Sequence, residues 1–204
     1  MRIVCLDLEG VLVPEIWIEF AGRTGIAALR RTTRDEPDYD RLMTDRLAIL
    51  KEHRLGLADI QAVIGEMGPL PGAAAFLEAL RETYQVVILS DTFYEFARPL
   101  MRQLGWPTLF CHSLATDAQG FVTGYRLRMP NQKREAVRRF RELNFQVVAA
   151  GDSYNDTAML QEAHGGILFC PPENVIREFP QFPVTQDYAT LRHEIDAAFA
   201  RLTP

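Results

Sequence analysis

Cysteine is scarce in this chain. Its three cysteines, Cys5, Cys111 and Cys170, stand far apart and match no metal-site spacing. Cys5 falls inside an apolar run and reads as a buried thiol, a pattern that suits a reducing cytosol and a cytoplasmic protein. Long hydrophobic runs are missing too. No membrane-spanning segment is expected, and the opening residues reach acids too soon to form a secretory signal. Positive charge is not in excess. With 22 Lys and Arg against 27 Asp and Glu, the net charge is -5, which argues against general attraction to nucleic acid. Basic clusters do occur, at Arg30, Arg31 and Arg34, and again at Lys133, Arg134, Arg138, Arg139 and Arg141. The second lies on a predicted helix whose other face is Ala136, Val137 and Phe140, so it reads as a solvated face. Internal repeats and low-complexity segments are absent. What is present is ample apolar material: 204 residues at 48% hydrophobic suffice for one domain with a sizeable core and a small insertion.

The stretch from Ile3 to Val13 organises the rest. Ile3, Val4, Cys5 and Leu6 are apolar and predict a strand buried on both faces. Two acids, Asp7 and Glu9, follow one residue apart, then Gly10. In an open α/β sheet the carboxyl end of a strand is where ligands bind. Acids gathered there repel one another unless a cation offsets them, and Mg²⁺, which takes oxygen ligands, is the cation expected. The alternative is that Asp7 and Glu9 merely open a loop.

Helical spacing dominates the next segment. A helix is predicted from Pro14 through Ile16, Trp17, Phe20 and Ala21, then a polar break from Thr32 to Pro37. A helix from Tyr39 to His53 and another from Ala58 to Met67 follow. Gly68, Pro69, Pro71 and Gly72 mark the return to the main domain. From there helices and strands alternate. Helices are predicted over 73–84, 93–104, 132–143, 154–163 and 187–202, and strands over 85–89, 108–111, 145–150 and 167–169. A hairpin is predicted over 113–128, turning at Asp117–Gly120. The pattern predicts an α/β fold: a doubly wound, Rossmann-like parallel sheet with an inserted small helical cap. Residues 1–13 and 69–204 would form the core and 14–68 the cap.

Three predicted strands end in polar residues: Asp7 and Glu9, then Ser90-Asp91-Thr92, then Gly151-Asp152-Ser153-Tyr154-Asn155-Asp156. Lys133 opens a helix between the last two. In a parallel sheet these ends share one rim, which would then carry carboxylates for a metal, a hydroxyl and an ammonium. Phosphoryl transfer needs those parts. Each has a plainer reading: Asp7 as a metal ligand only, Ser90 as a helix cap, Lys133 as a surface lysine, Asp156 as an acid in a first helical turn.

In order and context, Asp7-Leu8-Glu9, Ser90, Lys133 and Gly151-Asp152-x-x-Asn155-Asp156 resemble the four motifs of the haloacid dehalogenase-like phosphotransferases. The chain is most similar to the phosphoserine phosphatases of that superfamily, including those that hand the phosphoryl group to homoserine. The resemblance implies that Asp7 is the nucleophile and that Glu9 is the general acid and base. Asp7, Asp152 and the Glu9 carbonyl would hold Mg²⁺. Ser90, the Asp91 amide and Lys133 would hold the phosphoryl oxygens, and Asn155 the substrate. Two departures stand out: Glu9 where most of the family has Asp, and Asp91-Thr92 where many phosphoserine phosphatases have two glycines.

Arg46 falls on the apolar face of its predicted helix, three residues after Met43 and four before Leu50. Either it snorkels to solvent or it faces the cleft, where its fork matches a substrate carboxylate. Glu15 would meet a substrate amino group, or it is simply an acid in a first helical turn. Together they suit a zwitterionic amino acid; the resemblance implies phosphoserine as donor and water or homoserine as acceptor. A phosphatase for another small monoester is the alternative. A phospho-receiver module is a third, although receivers are shorter and lack such an insertion. The hairpin near Gly120 either covers the site or serves an interface in a homodimer.

Overall fold

The apolar opening run lies at the middle of the molecule. The computed structural model describes residues 1–32, 35–36 and 38–202. In chain order its elements are β1 (Arg2–Leu6), α1 (Ile16–Thr24), α2 (Tyr39–Glu52), α3 (Leu57–Gly65), α4 (Ala73–Thr83), β2 (Gln85–Phe93), α5 (Tyr94–Gln103), β3 (Thr108–Thr116) and β4 (Val122–Arg126). Then come α6 (Gln132–Glu142), β5 (Gln146–Gly151), α7 (Thr157–Glu162), β6 (Gly165–Phe169), α8 (Glu173–Glu178), β7 (Val184–Thr185) and α9 (Tyr188–Arg201). The strands form one sheet in the order β4-β3-β2-β1-β5-β6-β7, parallel except for the antiparallel edge pair β3 and β4. This is the expected doubly wound sheet with helices on both faces.

Alternation along the central strands divides the core. Val4, Leu6, Val148 and Ala150 point to one face, against residues of α4, α5 and α9 such as Leu80, Leu100 and Ile195. Ile3, Cys5, Val147 and Ala149 point to the other, against Val137 of α6 and Met159 and Leu160 of α7. Burying both faces removes the most apolar surface per residue, which is why these strands read as continuous apolar runs.

Helices α1, α2 and α3 form the insertion between β1 and α4, and their inward faces (Ile16, Phe20, Leu42, Met43, Ile60, Ile64) are buried. Trp17 of α1 meets Phe96 of α5 edge-on at 5.1 Å, which ties the insertion to the sheet layer. The hairpin does the same from the other side. The Leu57 amide donates to the Gly120 carbonyl at 2.8 Å, and Tyr39 packs edge-on against Tyr125 at 5.9 Å. No helix among the described residues is long and apolar enough to cross a membrane.

Several boundaries differ from the sequence expectation. Helix α1 starts at Ile16, not Pro14, with Glu15 in the flanking position. Strand β2 runs on to Phe93 past a register shift after Leu89, so α5 begins one residue later. Residues 154–156 form a 3-10 turn ahead of α7, and another such turn spans Ala27–Arg30. Helix α8 and strand β7 had no counterpart in the sequence reading, because 6 and 2 residues are too few for a period to register. Strand β6 begins at Gly165 rather than Ile167. A Cβ at Gly166 would stand 2.6 Å from the Leu160 carbonyl oxygen, so α7 packs on backbone there and the strand opens without an apolar signal. Arg34 and the positions 33 and 37 of the predicted polar break lie outside the described residues.

Candidate active site

The loop after β1 closes on itself. The amides of Leu12 and Val13 donate to the Leu8 carbonyl, and Gly10 donates to Val13 at 2.8 Å. Gly10 sits at φ 77°, and a Cβ there would stand 2.5 Å from the Asp152 carboxyl carbon. Glycine therefore lets the end of β5 approach the end of β1. From the far end of the chain, the Tyr188 hydroxyl donates to the Val11 carbonyl at 2.7 Å, with its ring stacked between Phe76 and Phe169.

Asp7 continues the β1 ladder, its amide donating to the Ala150 carbonyl at 2.9 Å. Its carboxyl is buried and lies 2.8 Å from Lys133 Nζ. The same ammonium donates to Asp156 Oδ1 at 2.8 Å and lies 3.7 Å from Asp91 Oδ2. Asp156 is fully buried and also accepts the amides of Asp152 and Ser153 at 3.1 and 3.2 Å. Burial alone would push the Lys133 ammonium down, but Asp156, Asp7 and Asp91 outweigh it and hold it well above its ordinary value. Burial, then the Asp156 charge, hold the Asp7 carboxyl well above the usual carboxylate range, and burial with Asp156 pushes Asp152 up to about 7. Three carboxyl groups thus face one ammonium, and the cluster is short of positive charge.

One oxygen from each of Asp7, Asp152 and Asp156 lies within 4.8 Å of the others. A set of hard oxygens with surplus negative charge fits Mg²⁺. Asp156 belongs to this group while also bonding Lys133, so it serves more than the first turn of a helix. The Glu9 carboxyl is not in the group. It accepts the Ile16 amide at 2.8 Å, and burial, then the neighbouring Glu15 charge, push it up to about 8.

The end of β2 forms the opposite wall. Ser90 is buried, and Gln132 donates to its carbonyl and to Asp91 Oδ1 at 3.1 Å. Asn155 donates to Asp91 Oδ2 at 3.3 Å. Asn131, at φ 48°, turns the chain into α6 and so delivers Gln132 and Lys133. His112 of β3, also buried, accepts the Arg128 amide through Nδ1 and points Nε2 at Asp91 from 3.7 Å. Gln132 and His112 are not among the residues that the sequence singles out. Gln132 carried a weak signal as the neighbour of Lys133 at a helix start, whereas His112 carried none.

Arg46 does not snorkel. It is 7% exposed, lies 4.4 Å over the Trp17 ring and donates to the Arg31 carbonyl at 2.7 Å, while its buried Nε has no partner. Burial pushes its guanidinium down to about 10, against the opposing pull of Tyr39, Glu9 and Glu15. Glu15 is exposed, beside Glu9 at the start of α1. Asp7, Glu9, Ser90, Asp91, Lys133, Asp152 and Asn155 thus lie at one end of the sheet, and Glu15 and Arg46 on the insertion.

Residues 1–164 match the haloacid dehalogenase-like hydrolase family, which supersedes the receiver reading. The chain is 63% identical over 201 residues to phosphoserine phosphatase ThrH of Pseudomonas aeruginosa, covering 98% of each. It is 61% identical over 201 residues to a phosphoserine phosphatase of Pseudomonas syringae pv. tomato, covering 98% of this chain and 85% of the relative. A solved phosphoserine phosphatase, a phospho-aspartyl intermediate analogue, shares the fold at a TM-score of 0.75 and 20% identity, over 94% of this chain and 97% of that one. The chain belongs to the haloacid dehalogenase-like hydrolases, an enzyme of their phosphoserine phosphatase branch.

Proposed function

We propose that the chain is a Mg²⁺-dependent phosphoserine phosphatase working through an aspartyl-phosphate on Asp7, and that homoserine can replace water as acceptor. The observation that carries this reading is Asp7 itself. It is a buried carboxyl at the central strand end, 2.8 Å from the Lys133 ammonium and grouped with Asp152 and Asp156. Asp7 Oδ attacks phosphorus as the bond to the serine oxygen breaks, and Glu9 gives that oxygen its proton. A carboxyl pushed up to about 8 holds a proton at neutral pH, as a general acid must. Glu9, now ionised, then takes the proton of water or of a homoserine hydroxyl as that oxygen attacks the phosphoryl group on Asp7. Ser90, the Asp91 amide and Lys133 hold the phosphoryl oxygens. Asp7, Asp152 and Asp156 with the Glu9 carbonyl would hold Mg²⁺, which supplies positive charge where the phosphoryl oxygens gain negative charge.

The helical insertion, residues 14–68, acts as a cap. Its Arg46 binds the substrate carboxylate, Glu15 the ammonium, and Asn155 adds a hydrogen bond from the core. The 63% identity to a phosphoserine phosphatase supports this choice of substrate. The test is incubation with phosphoserine, Mg²⁺ and homoserine, quantifying free phosphate and phosphohomoserine. Phosphate release that disappears in Asp7→Asn supports the reading. If neither product forms, the substrate is another monoester, and an active Asp7→Asn variant would overturn the nucleophile.

A further inference from the structure

The turn from Leu8 to Val13 carries Glu9. Its two limbs hold each other: Glu9 pairs with Val13 as an isolated bridge, and the Leu8 carbonyl accepts the amides of Leu12 and Val13. The Leu12 carbonyl accepts the Leu70 amide at 2.9 Å, where the chain returns from the insertion. The Val11 carbonyl has a different kind of partner. It accepts from a side chain 177 residues away, the Tyr188 hydroxyl, at 2.7 Å. Val11 is fully buried, so its carbonyl depends on that donor.

Tyr188 is the first residue of α9, and the fold fixes its place. Asp187 caps the helix, accepting the Thr190 amide at 2.8 Å. The ring stacks on Phe76 of α4 at 4.8 Å and on Phe169 of β6 at 5.0 Å. Gly72 closes a further edge, since a Cβ there would stand 3.2 Å from the ring. Leu191, Ile195 and Phe199 seat the rest of α9 in the core. Burial pushes the phenol up to about 12, so it remains a donor at neutral pH. A phenylalanine would fill the same stack, so what the hydroxyl adds is the bond to Val11.

Glu9 stands two residues before Val11, on the limb that Gly10 turns at φ 77°. Its carboxyl accepts the Ile16 amide at 2.8 Å. Several rotatable bonds separate that carboxyl from its backbone, so where it points depends on where the turn sits. We propose that Tyr188 is a positioning residue for proton transfer: by holding the Val11 carbonyl it fixes the turn from which Glu9 reaches the leaving oxygen. The inference rests on the reading of Glu9 as general acid and deepens it. In that step Asp7 Oδ bonds phosphorus, the bond from phosphorus to the leaving oxygen breaks, and the Glu9 proton passes to that oxygen. Without the hydroxyl a buried carbonyl lacks its donor, and the turn shifts toward another. Asp7 is held separately, by its amide on Ala150 at 2.9 Å and by Lys133 at 2.8 Å. Attack on phosphorus therefore keeps its geometry while proton delivery loses it.

The test is a series of phenyl phosphates with Mg²⁺, unsubstituted or carrying a p-chloro, p-cyano or p-nitro group. The ring is common to all, so recognition changes little while the basicity of the leaving oxygen changes greatly. The quantity read is kcat/KM, which covers the steps through departure of the phenol. A p-nitrophenolate leaves without a proton, whereas the unsubstituted phenolate gains from receiving one. Tyr188→Phe, which keeps the stacked ring, should lower kcat/KM for phenyl phosphate about tenfold and that for p-nitrophenyl phosphate by less than about twofold. Glu9→Gln should widen the same gap to at least about 50-fold. Tyr84→Phe is the matched control. Its hydroxyl bonds Asp196 of α9 at 2.6 Å and its ring stacks on Phe199, away from the turn, so the gap should keep its wild-type value. The gap is internal to each preparation, so loss of folded protein does not change it. If Tyr188→Phe lowers all the esters equally or none of them, or if Tyr84→Phe widens the gap as much, the positioning role is overturned and the acid role of Glu9 stands. A gap unmoved in Glu9→Gln overturns the acid role and the positioning role together, as does a wild type that turns over no ester of the series.

Discussion

Lys133 is 4% exposed and bridges Asp7 and Asp156 at 2.8 Å each. Replacing it by Met keeps the bulk and removes the charge, leaving two buried carboxyls uncompensated. Lys133→Met is expected to lose about 3 kcal/mol in urea unfolding and at least about 100-fold in turnover of any phosphate monoester. A stability loss below about 1 kcal/mol would mean that the carboxyls shed their charge by binding protons instead. Arg46 gives a contrasting outcome, because its role is recognition. Arg46→Ala should raise KM for phosphoserine about 30-fold while leaving KM for p-nitrophenyl phosphate within about twofold. Equal effects on both substrates would make Arg46 a packing residue under Trp17. These residues were legible in the sequence for a shared reason. Asp7, Ser90 and Asp152 each follow an apolar run, and Lys133 sits at the positive end of a helix, where a lysine is out of place. Gln132 and His112 were not legible. Their roles come from Asp91, 41 residues from Gln132 by chain and brought near only by the sheet.

Elements with a clear apolar period are legible in the sequence, and those set by single contacts are not. Helices α4, α6 and α9 carry apolar faces, so their register followed from spacing alone. The hairpin was visible as a turn, but its partner was not. In the fold its tip bonds α3, through Leu57 to Gly120 at 2.8 Å, and its second strand supports Tyr39 through Tyr125. Asp117 Oδ1 accepts the amides of Gln119 and Phe121, and Gly120 takes φ 84°, so the tip is a preformed shape. Gly120→Val is strained at that angle, and a β-branched side chain is the least tolerant of it. The variant should lose about 1–2 kcal/mol, and the Leu57 amide should lose protection against hydrogen exchange ahead of the β1 amides. If Leu57 and β1 exchange together, the hairpin does not hold the insertion independently of the sheet.

At the scale of the whole molecule, the acidic rim opposes the core beneath it. Glu9 at about 8, Asp152 at about 7 and Asp7 are held above their ordinary values, so the folded protein binds more protons than the unfolded chain. Their contribution is therefore greatest at acid pH and is lost as pH rises through about 7 to 8. His112 and His164, pushed down by burial, act in the other direction and cost stability as pH falls. Without metal, Tm should peak at mildly acid pH and fall by about 5 °C toward pH 8.5. Mg²⁺ binds the deprotonated carboxylates, so its gain in Tm should grow with pH and be small at about pH 5.5. Asp152→Asn removes one of the mutually repelling charges. It should melt above the wild type at pH 8 in EDTA and respond little to Mg²⁺, measured by calorimetry with and without the ion. A wild-type gain from Mg²⁺ that is equal at both pH values would mean that the ion binds somewhere other than Asp7, Asp152 and Asp156, and the chemistry placed at the end of β1 would lose its counter-charge.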